Sequence, residues 1–179
     1  MWKLDNTALM FVDVQERLAP VMHERERLIN NLRAFLTCMQ RLAVPIIWTE
    51  QLPDKIGPTL PELAAILDGN HPITKSSFGC LGEPVIAAAV EATGRRQVFL
   101  CGIECHVCVY QTARQLLSAG YEVDVVADAV SSRTEENRTI GLERMRAAGA
   151  GITSVECAVF ELMESATHPA FRDVLRVIK

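Results

Sequence analysis

Apolar residues along this chain fall into two alternating rhythms. Thr7–Val14, TALMFVDV, is an almost unbroken apolar run containing Asp13 near its end, the pattern of a short strand buried on both faces. In ERERLINNLRAFLTCMQRLA, by contrast, Leu28, Leu32, Phe35, Leu36, Met39 and Leu42 recur at helical spacing and give the helix one apolar stripe. Val44–Thr49 predicts a second buried strand. Residues 50–70 carry Pro53, Gly57, Pro58 and Pro61, which predicts a loop with one short helix. HPITKSSFG predicts a brief extended stretch reaching Lys75. EPVIAAAVEATG predicts a helix with Pro84 near its start and Gly94 beyond its end. The rhythm then repeats. QVFLCGI reads as a strand, 106–119 as a helix closed by Gly120, YEVDVVAD as a strand, and EENRTIGLERMRAAG as a helix ending at Gly149. ITSVECAVFELM begins as a strand and turns helical, and 168–178 forms a last helix.

Strands alternating with helices predict an α/β domain. The expected architecture is a three-layer α/β/α arrangement, Rossmann-like, with a mostly parallel sheet covered on both faces. No repeat, linker or low-complexity segment divides the chain, so residues 1–179 are read as one domain. After Asp13 comes Val14-Gln15-Glu16-Arg17 rather than a glycine-rich loop, which argues against a dinucleotide or P-loop function.

Composition narrows the function further. The 179 residues are enough to bury a substantial core, and 49% apolar with 22% charged residues is ordinary for a soluble protein. The net charge of −4, with acids and bases interspersed, points to neither a nucleic-acid surface nor a polybasic membrane anchor. Apolar stretches are too short to span a bilayer. Met1-Trp2-Lys3-Leu4-Asp5 lacks a basic start followed by an apolar run, so a cytoplasmic location is expected. With a core of this size and a reducing compartment, the six cysteines are expected as free thiols rather than as three disulfides.

The chemistry concentrates in CGIECHVCVY, residues 101–110, which holds three cysteines and a histidine. In open parallel sheets ligands bind outside the carboxyl ends of the strands. Asp13, Lys75 and the Cys105–Cys108 segment all follow such ends. A helix start and a nearby cation lower a thiol's pKa. A carboxylate can take the thiol's proton and return it to a leaving amine. An acid, a base and a thiol are therefore a sufficient set for acyl transfer at an amide-like carbon. Each also has a duller reading: an Asp that caps a turn, a solvated Lys, a Cys that packs as a small hydrophobe.

Three separated motifs shift that balance. ALMFVDVQE, ITKSSFG and CGIECHVCVYQTARQLLSAGYEV, together with the later VVADAVSSRTEENRTIGLERMRAAGAGITSVECAVFELM, resemble the isochorismatase-like cysteine hydrolases, the superfamily that includes nicotinamidases and N-carbamoylsarcosine amidohydrolases. The resemblance covers nearly the whole chain. It implies a catalytic triad of Asp13 as base and acid, Lys75 as orienting cation and Cys108 as nucleophile. It implies a non-proline cis peptide at Ile103–Glu104 and an oxyanion hole from the backbone N–H groups of Glu104 and Cys108. Such donors are typically worth roughly a hundredfold or more in rate. Cys105 stands where many relatives carry Thr. Gln15, Leu18, Trp48, Phe78 and His106 are candidate substrate contacts, with Leu18 in place of a family aromatic wall.

Nicotinamidases hold a metal through Asp and His residues after the second strand. Here WTEQLPDKIGPTLPEL offers Glu50 and Asp54 but no histidine before His71, so neither a catalytic metal nor another cofactor is expected. The expected activity is metal-independent hydrolysis of a small amide or related acyl compound through a thioester intermediate. The expected partners are a small-molecule substrate and further copies of the chain, with CAVFELM as a possible interface. Two other readings stay open. One is a catalytically retired scaffold of the same fold. The other is a zinc or redox module built from Cys101, Cys105, Cys108 and His106.

Overall fold

The computed structural model describes residues 1–67 and 69–179; Asp68, in the loop read over 50–70, lies outside the described residues. Among the described residues six parallel strands form one sheet: β1 (Thr7–Val12), β2 (Ile46–Gln51), β3 (Ile73–Lys75), β4 (Gln97–Ile103), β5 (Glu122–Ser131) and β6 (Gly151–Thr153). Their order is β3-β2-β1-β4-β5-β6. The helices are α1 (Arg25–Arg41), α2 (Pro53–Ile56), α3 (Pro61–Ala64), α4 (Pro84–Ala92), α5 (Tyr110–Ser118), α6 (Glu135–Ala147), α7 (Val155–Met163) and α8 (Phe171–Ile178).

Side-chain alternation in the strands builds a core on each face of the sheet. Leu9, Phe11, Phe99 and Cys101 point to one face, where Leu32, Phe35 and Leu36 of α1 and Val159 and Leu162 of α7 pack on them. Trp2 stacks on Phe99 with ring centroids 4.0 Å apart, and Phe35 meets the same ring edge-on at 6.0 Å. Met10, Val12, Val98 and Leu100 point to the other face, against Ile86 and Val90 of α4, Ala113 and Leu116 of α5 and Met145 of α6. Burying the central strands on both sides explains why they read as continuous apolar runs.

Strand order places the chemistry. The chain winds outward from β1 to β3, then crosses to the other side of β1 to make β4. A crevice opens at such a reversal, beyond the carboxyl ends of the strands. Register sets the depth at which each side chain emerges: Val12 lies opposite Thr49 and Gly102, and Gln51 opposite Lys75. Gly102 lets β1 and β4 close at this point. At φ +114° it adopts a conformation suited to glycine, and a Cβ there would stand 2.1 Å from the Val12 carbonyl oxygen.

Several boundaries differ from the sequence reading. β2 starts two residues later, because Ala43 takes a positive φ and Pro45 precedes the strand. The loop after β2 holds two one-turn helices, each begun by a proline. β5 runs on to Ser131 through a register shift, with Leu100 opposite Val125 and Gly102 opposite Val130. The apolar residues of CAVFELM are spent inside the fold: Ala158, Val159, Leu162 and Met163 are all buried in the chain's own core. No helix among the described residues is long and apolar enough to cross a membrane.

Candidate active site

Asp13 follows β1 directly, with φ +53°, a conformation in which Asp is among the better-tolerated residues. The turn carries its carboxylate sideways toward β2 and β3, where it is fully buried. Thr49 Oγ1 donates to Asp13 Oδ1 at 2.9 Å. Lys75 Nζ stands 2.6 Å from Asp13 Oδ2, and both side chains are completely enclosed. The ammonium is held by more than that ion pair. It donates to Gln51 Oε1 (2.6 Å), Ser77 O (3.0 Å) and Phe78 O (3.1 Å). Three protons are thus aimed at three other acceptors. Asp13 Oδ2 is left with the charge of its neighbour but no directed hydrogen bond.

Cys108 lies close enough to this pair for both Asp13 and Lys75 to act on its thiol. Only 7% of the residue is exposed. It lies in a π-helical turn, Cys105–Val109, that leads into α5. The Glu104 carbonyl accepts from the N–H groups of Val107 and Val109 and passes over Cys108. The Ile103–Glu104 peptide bond is cis.

Lys75 favours the thiolate form of Cys108, but it does not act alone. Burial instead pushes the Cys108 thiol up to about 12, the Asp13 carboxylate adds to the rise, and Lys75 offsets only part of it. Burial likewise raises Asp13 against the pull of Lys75, Thr49 and Cys108. For Lys75, burial opposes the charge, but the Asp13 carboxylate with Cys108 and Cys80 outweighs it and holds the ammonium above its ordinary pKa. The Cys108 thiol thus rests in its protonated form beside the Asp13–Lys75 pair.

The other sequence candidates divide by position. Gln15 is buried and fastens the loop after β2: it donates to Gln51 O (3.0 Å) and Gly57 O (2.6 Å) and accepts from Gln51 N (2.8 Å). Trp48 sits in the core and donates to Thr59 Oγ1 at 2.8 Å. Leu18 packs half-buried against the same core. Phe78 is 54% exposed on the turn after Lys75. His106 is half-buried, with Nδ1 2.9 Å from Ser132 Oγ. Glu104 accepts from the backbone N–H and Nε of Arg133, which ties the β5–α6 loop to the turn that carries Cys108. Cys105 is buried, its Sγ 3.5 Å from the Arg138 carbonyl.

Thr49, Gln51 and Cys80 were missed. Thr49 and Gln51 alternate at the end of β2, a signal legible only once β2 is known to lie between β1 and β3. Cys80 is buried 3.9 Å from Thr49 Oγ1, with its thiol pushed up to about 11.

The zinc arrangement fails on geometry. Cys101 packs on one face of the sheet, whereas Cys105 and Cys108 pack on the other. Glu50 Oε1 is taken by Thr59 N (2.7 Å) and Thr59 Oγ1 (2.8 Å). Among the described residues no group of three or more His, Cys, Asp or Glu side chains could hold a metal ion.

Comparison with known proteins agrees with this architecture. The chain is 37% identical over 172 residues to isochorismatase domain-containing protein 2 of Danio rerio, covering 96% of this chain and 86% of that one. It superimposes on the MAR1 ribonuclease of Caenorhabditis elegans with a TM-score of 0.93 and 35% identity, over 99% and 91% of the two chains. It also superimposes on the YcaC gene product of Escherichia coli, described as an octameric hydrolase of unknown specificity. That match has a TM-score of 0.89 and 25% identity, over 99% and 95%. The isochorismatase domain itself matches residues 7–157, the span from β1 into α7 that carries Asp13, Lys75 and Cys108. With sheet order and sequence match in agreement, the chain belongs to the isochorismatase domain family.

Proposed function

We propose that this isochorismatase-family hydrolase is a cysteine hydrolase of a small amide or related acyl compound, with Cys108 as nucleophile. The observation that carries the reading is Asp13 Oδ2, which is buried beside the Lys75 ammonium with no hydrogen bond of its own, in a site where Asp13 and Lys75 both act on the Cys108 thiol. It is the natural acceptor for the thiol's proton.

The steps then balance. As Cys108 Sγ bonds to the substrate carbonyl carbon, its proton passes to Asp13. The carbonyl oxygen takes the negative charge and is met by the N–H groups of Glu104 and Cys108. When the C–N bond breaks, Asp13 returns the proton to the departing amine and a thioester remains. Water then attacks the thioester while Asp13 takes its proton. Collapse releases the acid, and Asp13 returns the proton to the thiolate. Lys75 holds Asp13 in place and balances the charge that accumulates on sulfur. No step passes through a metal.

A thiol with a pKa near 12 suits this order of events. It keeps the proton on sulfur until substrate and base act together, so that the proton is there for Asp13 to take. The same protonation and the narrow access to Cys108 also favour a second reading, a catalytically silent member of the family. The worm relative is described as a ribonuclease. A formal charge of −4 and a nearly enclosed thiol favour a small carbonyl compound over a polyanion here. By analogy with the octameric relative, we also propose that the chain forms a homo-oligomer.

The test is ammonia or amine release from a panel of small amides and ureides, with RNA cleavage measured in parallel, for wild type and Cys108→Ser. The reading expects turnover of at least one small compound, reduced about a thousandfold or more by the substitution. Turnover that survives Cys108→Ser, or RNA cleavage with no small-amide turnover, contradicts it.

A further inference from the structure

We infer that Glu83 is a positioning residue of this site: it locks the turn whose carbonyls hold Lys75 Nζ, and so sets where the ammonium stands relative to Asp13 and Cys108. The inference rests on the roles proposed above for those three residues.

Glu83 precedes Pro84 at the start of α4, a position from which an acidic side chain ordinarily caps its own helix. Here it makes no such bond. Its side chain turns back to residues 76 and 77 instead. One oxygen, Oε1, accepts from Ser76 N (2.9 Å), Ser76 Oγ (3.0 Å) and Ser77 N (3.1 Å). Ser77 Oγ lies 3.0 Å from the same atom and shares its proton with Gly79 O at 3.1 Å. These donors hold the Glu83 carboxyl down to about 2.

The carbonyls of this turn do the opposite work. Ser77 O and Phe78 O face inward and accept from Lys75 Nζ. A short stretch of backbone is thus clamped between an anion gathering its N–H groups outside and a cation gathering its carbonyls inside. The far end of the turn is fastened to the helix that carries the nucleophile. Cys80 N donates to Thr112 Oγ1 (3.0 Å), Thr112 Oγ1 donates to Cys108 O (2.7 Å), and Leu81 N donates to Gln115 Oε1 (2.9 Å). Two glycines allow the close fit. A Cβ on Gly79 would lie 2.5 Å from Gln115 Oε1, and one on Gly82 2.8 Å from Ser77 Oγ. With both ends fixed, the carboxylate of Glu83 governs the orientation of the Ser77 and Phe78 carbonyls.

The experiment is a double-mutant cycle read on Cys108 itself. Iodoacetamide alkylation of Cys108 is followed by peptide mass spectrometry across neutral to alkaline pH in wild type, Glu83→Gln, Glu83→Ala, Lys75→Met and Glu83→Ala/Lys75→Met. Thermal melting checks that each variant is folded, and Glu83→Gln serves if Glu83→Ala is not. We expect Glu83→Ala to slow alkylation about tenfold and to move its rise to higher pH, because a displaced ammonium stabilises the thiolate less. Glu83→Gln, which keeps an acceptor oxygen, should lose less. The double variant should be no slower than Lys75→Met alone. Three results overturn the inference. If Glu83→Ala matches wild type while Lys75→Met is slow, Glu83 does not position the lysine, and the proposed triad stands. If Glu83→Ala slows the Lys75→Met background by its full factor, it acts by another route. If Lys75→Met alkylates like wild type, the role given to Lys75 fails and the inference falls with it.

Discussion

Asp13 depends on two neighbouring side chains, Thr49 and Lys75, and each leaves a measurable mark. Its carboxyl is raised above the ordinary 3.8 by burial, while the Thr49 hydrogen bond and Lys75 pull the other way. In the proposed mechanism Asp13 must be ionised to act, so hydrolysis should fall on the acid side at a pH above the usual carboxylate range. A kcat/KM pH profile checks this. Thr49→Val removes a bond to the charged form and should shift that acid limb to still higher pH. Lys75 carries the complementary prediction. Its pKa is raised above 10.5, so its contribution to stability is intact below that value and is lost as pH rises through the raised one. Removing one partner of a buried pair costs about 3–5 kcal/mol. Lys75→Met should therefore destabilise the protein by that order at neutral pH, and adding Asp13→Asn should recover part of the loss in denaturant melts. Asp13, Lys75 and Cys108 were legible in the sequence only through the resemblance of their motifs, because Asp, Lys and Cys each have common structural roles. Thr49, Gln51 and Glu83 were not legible, because their partners lie on neighbouring strands or on a turn whose path no local pattern specifies.

Elements position these residues through close approaches rather than through propensity. β4 was read at its observed limits because its apolar run is cut cleanly at both ends. The helix after it was read as an ordinary one, yet it opens with a π turn packed against α6. A Cβ on Gly141 would stand 2.9 Å from Cys105 Sγ and from His106 N. That contact gives Cys105 a packing reason that its sequence position did not reveal. Gly102 is the sharper case. Gly102→Ala would bring a methyl into the Val12 backbone, one residue before Asp13, at a φ that disfavours alanine. Steric conflict and backbone strain together predict a loss of about 3 kcal/mol or more, measurable by chemical denaturation. The surviving folded protein should also lose activity out of proportion to its stability, because Asp13 is moved.

At the scale of the whole molecule, alternating strands and helices were enough to predict the layered sheet, and the reversal of strand order explains why residues far apart in sequence meet in one crevice. The apolar C-terminal half gave no such guide to assembly, since α7 buries its apolar face within the chain. The proposed homo-oligomer is checked by sedimentation velocity: a species larger than the monomer is expected, and a monomer at micromolar concentration contradicts it. The central claim is that Cys108 makes and breaks the covalent bond, with Asp13 moving its proton. The most direct measurement is intact-mass and peptide analysis of the protein quenched during turnover of a small amide found by the screen. The account predicts an acyl adduct on Cys108 in wild type, absent in Cys108→Ser and strongly reduced in Asp13→Asn. An adduct on another residue, or turnover with Cys108 replaced, would contradict it.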